Sequence, residues 1–279
     1  MYNFIVRLIA CFIPNKSIRR TFRAKYLRQT VKDKILLLDK QVSAASQNIE
    51  NINQILSGKN YADFVINGEN NKVIIVYEDK HEEELTHPLD GLKIHINGNN
   101  NVIKLPSVFG VQNSFLDINS DGLFLEIEPT IWFHNVWLRS YAGINQYVHI
   151  GRDTSFEQAH ITVADKARLV IGNDCMFSSG INVWAVDGHS ILDKDGNCIN
   201  YNNGRCLEIG NHVWVGENAR ITKGAKIYDN SIVGASAVAC RDYSESHTGV
   251  IIAGNPGVII KKDINWSRTQ PYHFMQNKH

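Results

Sequence analysis

The sequence predicts an all-β solenoid, a three-sided coil of stacked strands with a helical extension at its N-terminus, and three observations carry that expectation. Residues 209–238, IGNHVWVGENARITKGAKIYDNSIVGASAV, place an aliphatic side chain at every sixth position and a smaller one four residues later. Residues 58–148 break into short β-branched runs separated by Asn/Gly turns. Residues 15–57 hold no Gly and no Pro and carry a heptad of apolar residues.

Residues 1–57 form the first region. Val31, Ile35, Leu38, Val42, Ala45, Ile49, Ile52 and Leu56 are spaced alternately four and three apart, a seam that suits a coiled coil or one helix packed on its own domain. The mixed a and d positions leave dimer and trimer open. Residues 1–34 hold nine Lys and Arg against one acid, Asp33, in a chain of net charge only +1. A basic arm on an acidic body fits a membrane surface, an acidic polymer or a solvated helix face. The opening MYNFIVRLIACFIP contains Arg7 and stops at Pro14, short of the ~20 residues that cross a bilayer, and lacks a small-residue cleavage site. It suits an interfacial anchor or a helix that docks on a protein partner. Five cysteines (Cys11, Cys175, Cys198, Cys206 and Cys240) are scattered without a C-x-x-C pair or zinc spacing, so reduced thiols and no metal are expected. The expected location is cytoplasmic, with the arm at the inner face of the membrane, and no feature points to nucleic acid.

The second region, 58–148, repeats a frame. FVINGENNKVIIV at 64–76 and IHINGNNNVIKL at 94–105 share I-N-G-x-N-N, and LDINSDGLFLEI at 116–127 is a weaker copy. Asn and Gly tolerate positive φ and suit corners where one short strand turns into the next. The charged stretch EDKHEEELTHPLDG at 78–91 reads as an exposed loop.

The third region, 149–262, carries the hexads. Ile209, Val215, Ile221, Ile227 and Val233 lead five in tandem, and Ile150 and Ile171 lead earlier ones. An α-helix repeats at 3.6 and a strand at 2, so neither gives a bulky/small alternation locked to six. A triangular coil does: one hexad makes each side, and three close a turn of ~18 residues stacked at strand spacing. The tail, 263–279, and the N-terminal helix are expected to cap the ends. Trp214 falls at the sixth, outward position of its hexad, where an aromatic ring calls for a cover. A loop at about 187–206 interrupts the frame and carries DGHSI, with Asp187 two residues before His189. A lone histidine is more often structural than catalytic.

In the DGHSI loop, the hexads of 209–238 and AGNPGVIIKK at 253–262, the chain resembles the hexapeptide-repeat acyltransferases with a left-handed parallel β-helix, in particular the sugar and polysaccharide O-acetyltransferases. The resemblance covers about 148–262. It implies acetyl-CoA as acetyl donor, a sugar or polysaccharide hydroxyl as acceptor, and a homotrimer with sites between adjacent coils. His189 matches the catalytic general base, a task an imidazole suits near neutral pH. Asp187 is a candidate to orient it. Trp214 matches an aromatic bordering the thioester, and Glu217 a position whose backbone N–H faces the oxyanion. Ala235, Cys240, Arg241 and Lys261 match positions along the pantetheine arm and phosphates of the donor. Val258 replaces a second basic residue of relatives, and DYSESHTGVII is longer than their connection. His160 falls near an acceptor-side position.

With the basic arm at a membrane, a capsular or lipopolysaccharide acceptor is the leading expectation, and a small free sugar the alternative. Two other readings compete. His149, His160, His189 and His212 suggest a zinc carbonic-anhydrase-like coil, against which stands the lack of H-x-x-x-x-H. A coiled coil joined to a solenoid also suits a non-catalytic spacer.

Overall fold

The computed structural model describes residues 62–201 and 206–276. The heptad seam, the basic arm and the apolar N-terminal segment lie outside them. The described chain is nearly all β, wound as successive coils whose sides stack into three sheets of eight strands each.

The first sheet contains β1 (Asp63–Asn67), β4 (Leu92–Asn97), β7 (Ser114–Ile118), β10 (Val136–Ser140), β13 (Ala159–Val163), β16 (Ile181–Trp184), β19 (Arg220–Thr222) and β22 (Val238–Ala239), all parallel. The second contains β2 (Lys72–Val76), β5 (Val102–Pro106), β8 (Phe124–Ile127), β11 (Tyr147–Ile150), β14 (Arg168–Ile171), β17 (Cys206–Ile209) and β20 (Lys226–Ile227). Its outer edge is β3 (Glu82–Glu84), antiparallel to β2. The charged stretch expected as a loop is therefore in part a hairpin, whose three glutamates keep an exposed edge strand polar. The third sheet contains β6 (Val111–Gln112), β9 (Trp132–His134), β12 (Ser155–Phe156), β15 (Met176–Phe177), β18 (Trp214–Val215), β21 (Ile232–Val233), β23 (Val250–Ala253) and β24 (Val258–Lys262).

The hexad rhythm points inward as expected. Ile209, Val215, Ile221, Ile227 and Val233 are buried, as are Val213, Ala219, Ala225, Ser231 and Ala237 four residues after each. Arg220 pairs with Val238, eighteen residues on. The earlier coils make longer turns: Trp137 pairs with Phe115, twenty-two residues back, and with His160, twenty-three residues on. On the first and second sheets their strands run four or five residues, so those two sides are wider, while the third side keeps strands of two or three. The wider interior takes larger side chains. Phe133, Phe156 and Phe177 stack inside, with centroids 5.3 and 4.4 Å apart, in close-packed aromatic contact.

Asparagine ladders hold the corners of the first coils. Asn67 Nδ2 donates to Asn97 Oδ1 at 2.8 Å, and Asn97 Nδ2 to Asn119 Oδ1 at 3.1 Å. The buried Asn101 donates to Ser120 O and accepts from Leu123 N, closing backbone groups that the turn leaves open. Gly68, at φ +109°, admits no side chain, because a Cβ would run into the Gly98 carbonyl of the next coil.

At the far end the long connection folds as a 3-10 turn, Ser244–Ser246, and β24 returns antiparallel on β23. The tail then does something a simple cap does not: it runs back down the coil edge. The Trp266 indole stacks on His212 at 4.2 Å and donates to His212 O at 2.6 Å. Further back, Arg268 donates to Asp174 Oδ1 and Cys175 O one coil away and to Ser155 Oγ and Asp153 O two coils away. The last described element is α1 (Pro271–Gln276). Among the described residues no helix is long and apolar enough to cross a membrane.

Because Arg268 supplies charge-assisted bonds to two coils at once, Arg268→Ala is expected to cost about 2 kcal/mol. Urea unfolding checks the loss, and quenching of tryptophan fluorescence by acrylamide checks release of Trp266.

Candidate active site

The coil breaks its rhythm once, between β16 and β17. Asn182 pairs with Arg220, thirty-eight residues on, so the intervening chain leaves the wall without disturbing the register above it. The outgoing and returning arms of this excursion meet at the Leu192–Cys198 bridge and at Ile199 N, which donates to Ile191 O. Asp193 holds the tip by accepting from the Asp195 and Asn197 amides.

His189 stands at the root of this excursion, exposed, and its ring makes no hydrogen bond with a described residue. The backbone around it is fixed from several sides. Asn200 Nδ2 donates to His189 O at 2.8 Å and to Asp187 Oδ2 at 2.7 Å. The Asp187 carboxylate also pairs with Lys223 Nζ, which donates to Asn200 O. Tyr141 OH donates to Asp187 O, and Tyr201 OH to Asp165 Oδ2 at 2.6 Å; that bond lowers the Asp165 carboxyl below its ordinary range. The orienting bond from Asp187 to the imidazole is thus absent. Its carboxylate anchors the loop to Lys223 and Asn200 instead, and the chain bends at Gly188 and His189 rather than running extended between the two residues.

A cavity of about 280 Å³ opens beside the loop on the outer face of the first sheet, bounded by Arg139, Tyr141, His160, Thr162, Trp184 and Gly188. His160 lies flat against Trp137, 4.6 Å between centroids, with its Nε2 3.3 Å from Thr162 Oγ1. Burial, joined by the nearby Arg139 charge, holds this imidazole below the usual histidine value.

A second groove, of about 510 Å³, follows the edge between the third and first sheets. It gathers Trp214, Glu217 and Ala235, together with the small Ser178, Ser179, Gly216 and Gly234. The Ser179, Glu217 and Ala235 amides donate to no described residue. They leave a column of free N–H groups, one per coil, lining the groove. Such groups suit an oxygen that gains negative charge. Trp214 points outward and is partly covered by Trp266 of the returning tail, 6.1 Å between centroids.

Cys240 and Arg241 are exposed at the end of β22, with the guanidinium 6.0 Å from the Tyr243 ring. Lys261 lies on β24 opposite Ile251, with Val258 further along the same strand. The structure therefore joins Trp214, Glu217 and Ala235 in one groove and sets His160 beside the root of the His189 loop. It keeps the two sets on different edges of the coil. Of the histidines that suggested zinc, His149 is on the second sheet beside Glu126 and Glu128, His160 on the first, and His212 against the tail. Among the described residues no group of three His, Cys, Asp or Glu converges to hold a metal ion. Sequence reading missed Arg139, Tyr141, Trp184, Asn200 and Lys223. Only coil register could have found Arg139 and Trp184, through the pairs Arg139–Thr162 and Thr162–Trp184.

A lowered His160 value fixes the sign of a pH effect. The unfolded chain binds a proton more readily, so the neutral ring's contribution is complete above the ordinary histidine value, roughly 6.5, and is lost as pH falls through the lowered one. Urea midpoints measured down this acid limb are expected to fall more steeply for the wild type than for His160→Gln.

No protein-family model matches the chain. Its sequence is 33% identical over 122 residues to the polysialic acid O-acetyltransferase of Escherichia coli O1:K1/APEC, a match covering 44% of this chain and 38% of that protein. To the galactoside O-acetyltransferase of Escherichia coli K12 it is 29% identical over 160 residues, covering 57% and 74%. To the polysialic acid O-acetyltransferase of Neisseria meningitidis it is 30% identical over 127 residues, covering 46% and 58%. The match thus spans well under half of the first of these relatives. The crystal structure of the polysialic-acid-specific acetyltransferase NeuO superposes with a TM-score of 0.52 at 23% identity, covering 77% of this chain and 93% of that one. Over part of its length the chain is thus similar to O-acetyltransferases of polysialic acid and of galactosides.

Proposed function

We propose that the protein is an O-acetyltransferase that moves an acetyl group from acetyl-CoA to a sugar hydroxyl of a cell-surface polysaccharide, with His189 as general base. One observation supports it most: an exposed imidazole without hydrogen-bond partners among described residues, on a loop root fixed by Asp187, Lys223 and Asn200. A base that must receive a substrate proton needs an open ring on a rigid mount.

The second groove fits the donor's narrow arm, since Gly216, Gly234, Ala235 and the two serines raise no bulk above the backbone. The thioester supplies an activated acetyl group. His189 takes the acceptor hydroxyl's proton and returns it to the departing sulfur. The Glu217 N–H meets the charge on the carbonyl oxygen, and the Trp214 ring shields that position from water. Arg241 and Lys261 offer cations for phosphates. Transfer needs both the loop and the groove, which lie on different edges, so the reading includes a trimer of left-handed coils in which adjacent copies complete each site. The heptad of 31–56 would hold the trimer, and the basic arm would keep it at the inner membrane face. The domain division at 57, 148 and 262 belongs to the same reading, as does acceptance of a polymer rather than a free sugar.

His189→Ala is expected to lower kcat by about 10²- to 10⁴-fold with the circular dichroism unchanged, read as thiol release from acetyl-CoA over a polysaccharide panel. Undiminished transfer would remove His189 from the role of base. Independently, CoA is expected to slow iodoacetamide labelling of exposed Cys240 and leave Cys198 unaffected. Cys175, whose thiol burial pushes up to about 12, stays unlabelled in either case.

A further inference from the structure

The cavity beside the His189 loop has a composition that selects among sugars, and the selection can be built from coil register alone. Arg139, Thr162 and Trp184 occupy one outward column of the first sheet on three successive coils. Coils stack at ~4.8 Å, so the first and third members stand roughly 9–10 Å apart along the wall. Threonine between them is small. The result is a slot with a guanidinium below, an indole above and a hydroxyl at its floor. Gly188, the residue before His189, forms part of its rim. A single pyranose ring fits such a gap, with one face against an aromatic surface.

Charge gives the slot its sign. Arg139 Nε forms an ion pair with Asp117 Oδ2 at 3.4 Å and the guanidinium lies 5.7 Å from the Trp137 and Tyr141 rings, while its terminal amino groups donate to no described residue. Asp117 lies one coil on the other side, away from Thr162 and Trp184, and its other oxygen accepts from Asn119 Nδ2 at 2.6 Å. No carboxylate lines the slot. The Tyr141 hydroxyl already donates to Asp187 O, and His160 Nε2 faces Thr162 Oγ1. The guanidinium fork is thus the one cationic group in the slot with donors to spare. A planar fork of N–H groups matches a carboxylate in two-point geometry.

We propose that Arg139 and Trp184 form an acceptor subsite for a carboxylated pyranose, with the sugar ring against the indole and its carboxylate on the guanidinium. The inference rests on the transferase reading and narrows it from polysaccharides at large to acidic ones. Arg139 and Trp184 then decide which sugar unit presents its hydroxyl to the loop.

The test uses the full chain, an oligosialic acid as carboxylated probe, and the same oligosaccharide with its carboxyls reduced to alcohols. Equilibrium binding is measured on His189→Ala, which does not turn over, and on His189→Ala/Arg139→Gln. Acetyl transfer is measured on the wild type, Arg139→Gln and Trp184→Ala. Carboxyl reduction is expected to weaken binding roughly ten- to hundredfold, and Arg139→Gln to weaken binding of the acidic form equally while erasing the difference between the two. In transfer, the same variant is expected to raise KM by a like factor with kcat within a few fold, and Trp184→Ala to raise KM for both forms. Binding that is absent, or unmoved by Arg139→Gln, overturns the subsite. Transfer that persists without that dependence overturns the subsite and keeps the transferase. Carboxylate-dependent binding without transfer to any acceptor keeps the subsite and overturns the transferase.

Discussion

Everything in this molecule depends on one constraint, the hydrogen-bonded pairing of each strand with its equivalent one coil away. The backbone N–H of one coil meets the carbonyl of the next on all three sides, as Gly216 N does with Val233 O and Gly172 N with Ile209 O. Since side chains alternate in and out along a strand, that pairing also decides which residues line up on the outer wall. A slip of one residue would turn Ile221 outward and Arg220 into the core. The penalty for burying such a charge keeps the register from drifting.

The same constraint explains how a loop can be added without weakening the wall. Only a residue's partners one coil up and one coil down matter to its pairing, so chain inserted at a corner is extruded rather than accommodated. The excursion between β16 and β17 does this, and β19 pairs with β16 as though nothing intervened. The extruded segment lacks a sheet of its own, so it borrows rigidity from side chains. Tyr141, Lys223 and Asp165 come from different coils and hold it at three points. Mounting a reactive group on borrowed anchors of this kind leaves the group itself free.

Legibility in the sequence follows how local each feature is. The hexads could be read because the narrow coils demand a bulky and a small side chain at fixed places, and Ile209 to Ala237 meet that demand without exception. The wider coils hide their period, since a five-residue strand tolerates turns of twenty-two or twenty-three residues, and only corners such as Asn67–Asn97 leave a trace. His189 was visible as an interruption. The Asp187 pairing with Lys223, thirty-six residues away, left no local trace. Trp214 posed a question about its cover that Trp266 answers in part, and no pattern within the hexads could have announced a tail returning past two coils.

The two grooves differ in what made them, and that difference bears on how such a coil gains chemistry. The groove of Trp214 and Glu217 is a product of the fold: the corner after β15, β18 and β21 leaves one amide on each coil without a described partner, and small residues keep that column open. At another corner, Asn and Asp side chains cap the amides of Arg152, Asn173 and Asn211. A relative with the same hexads inherits the open column. The slot of Arg139 and Trp184 owes nothing to the hexads. It depends on three outward residues from coils of differing length falling into one column, and any of the three can change without disturbing the interior. On the proposed transferase reading, a donor groove fixed by backbone and an acceptor slot set by replaceable side chains would let one solenoid keep its reaction while its sugar changes.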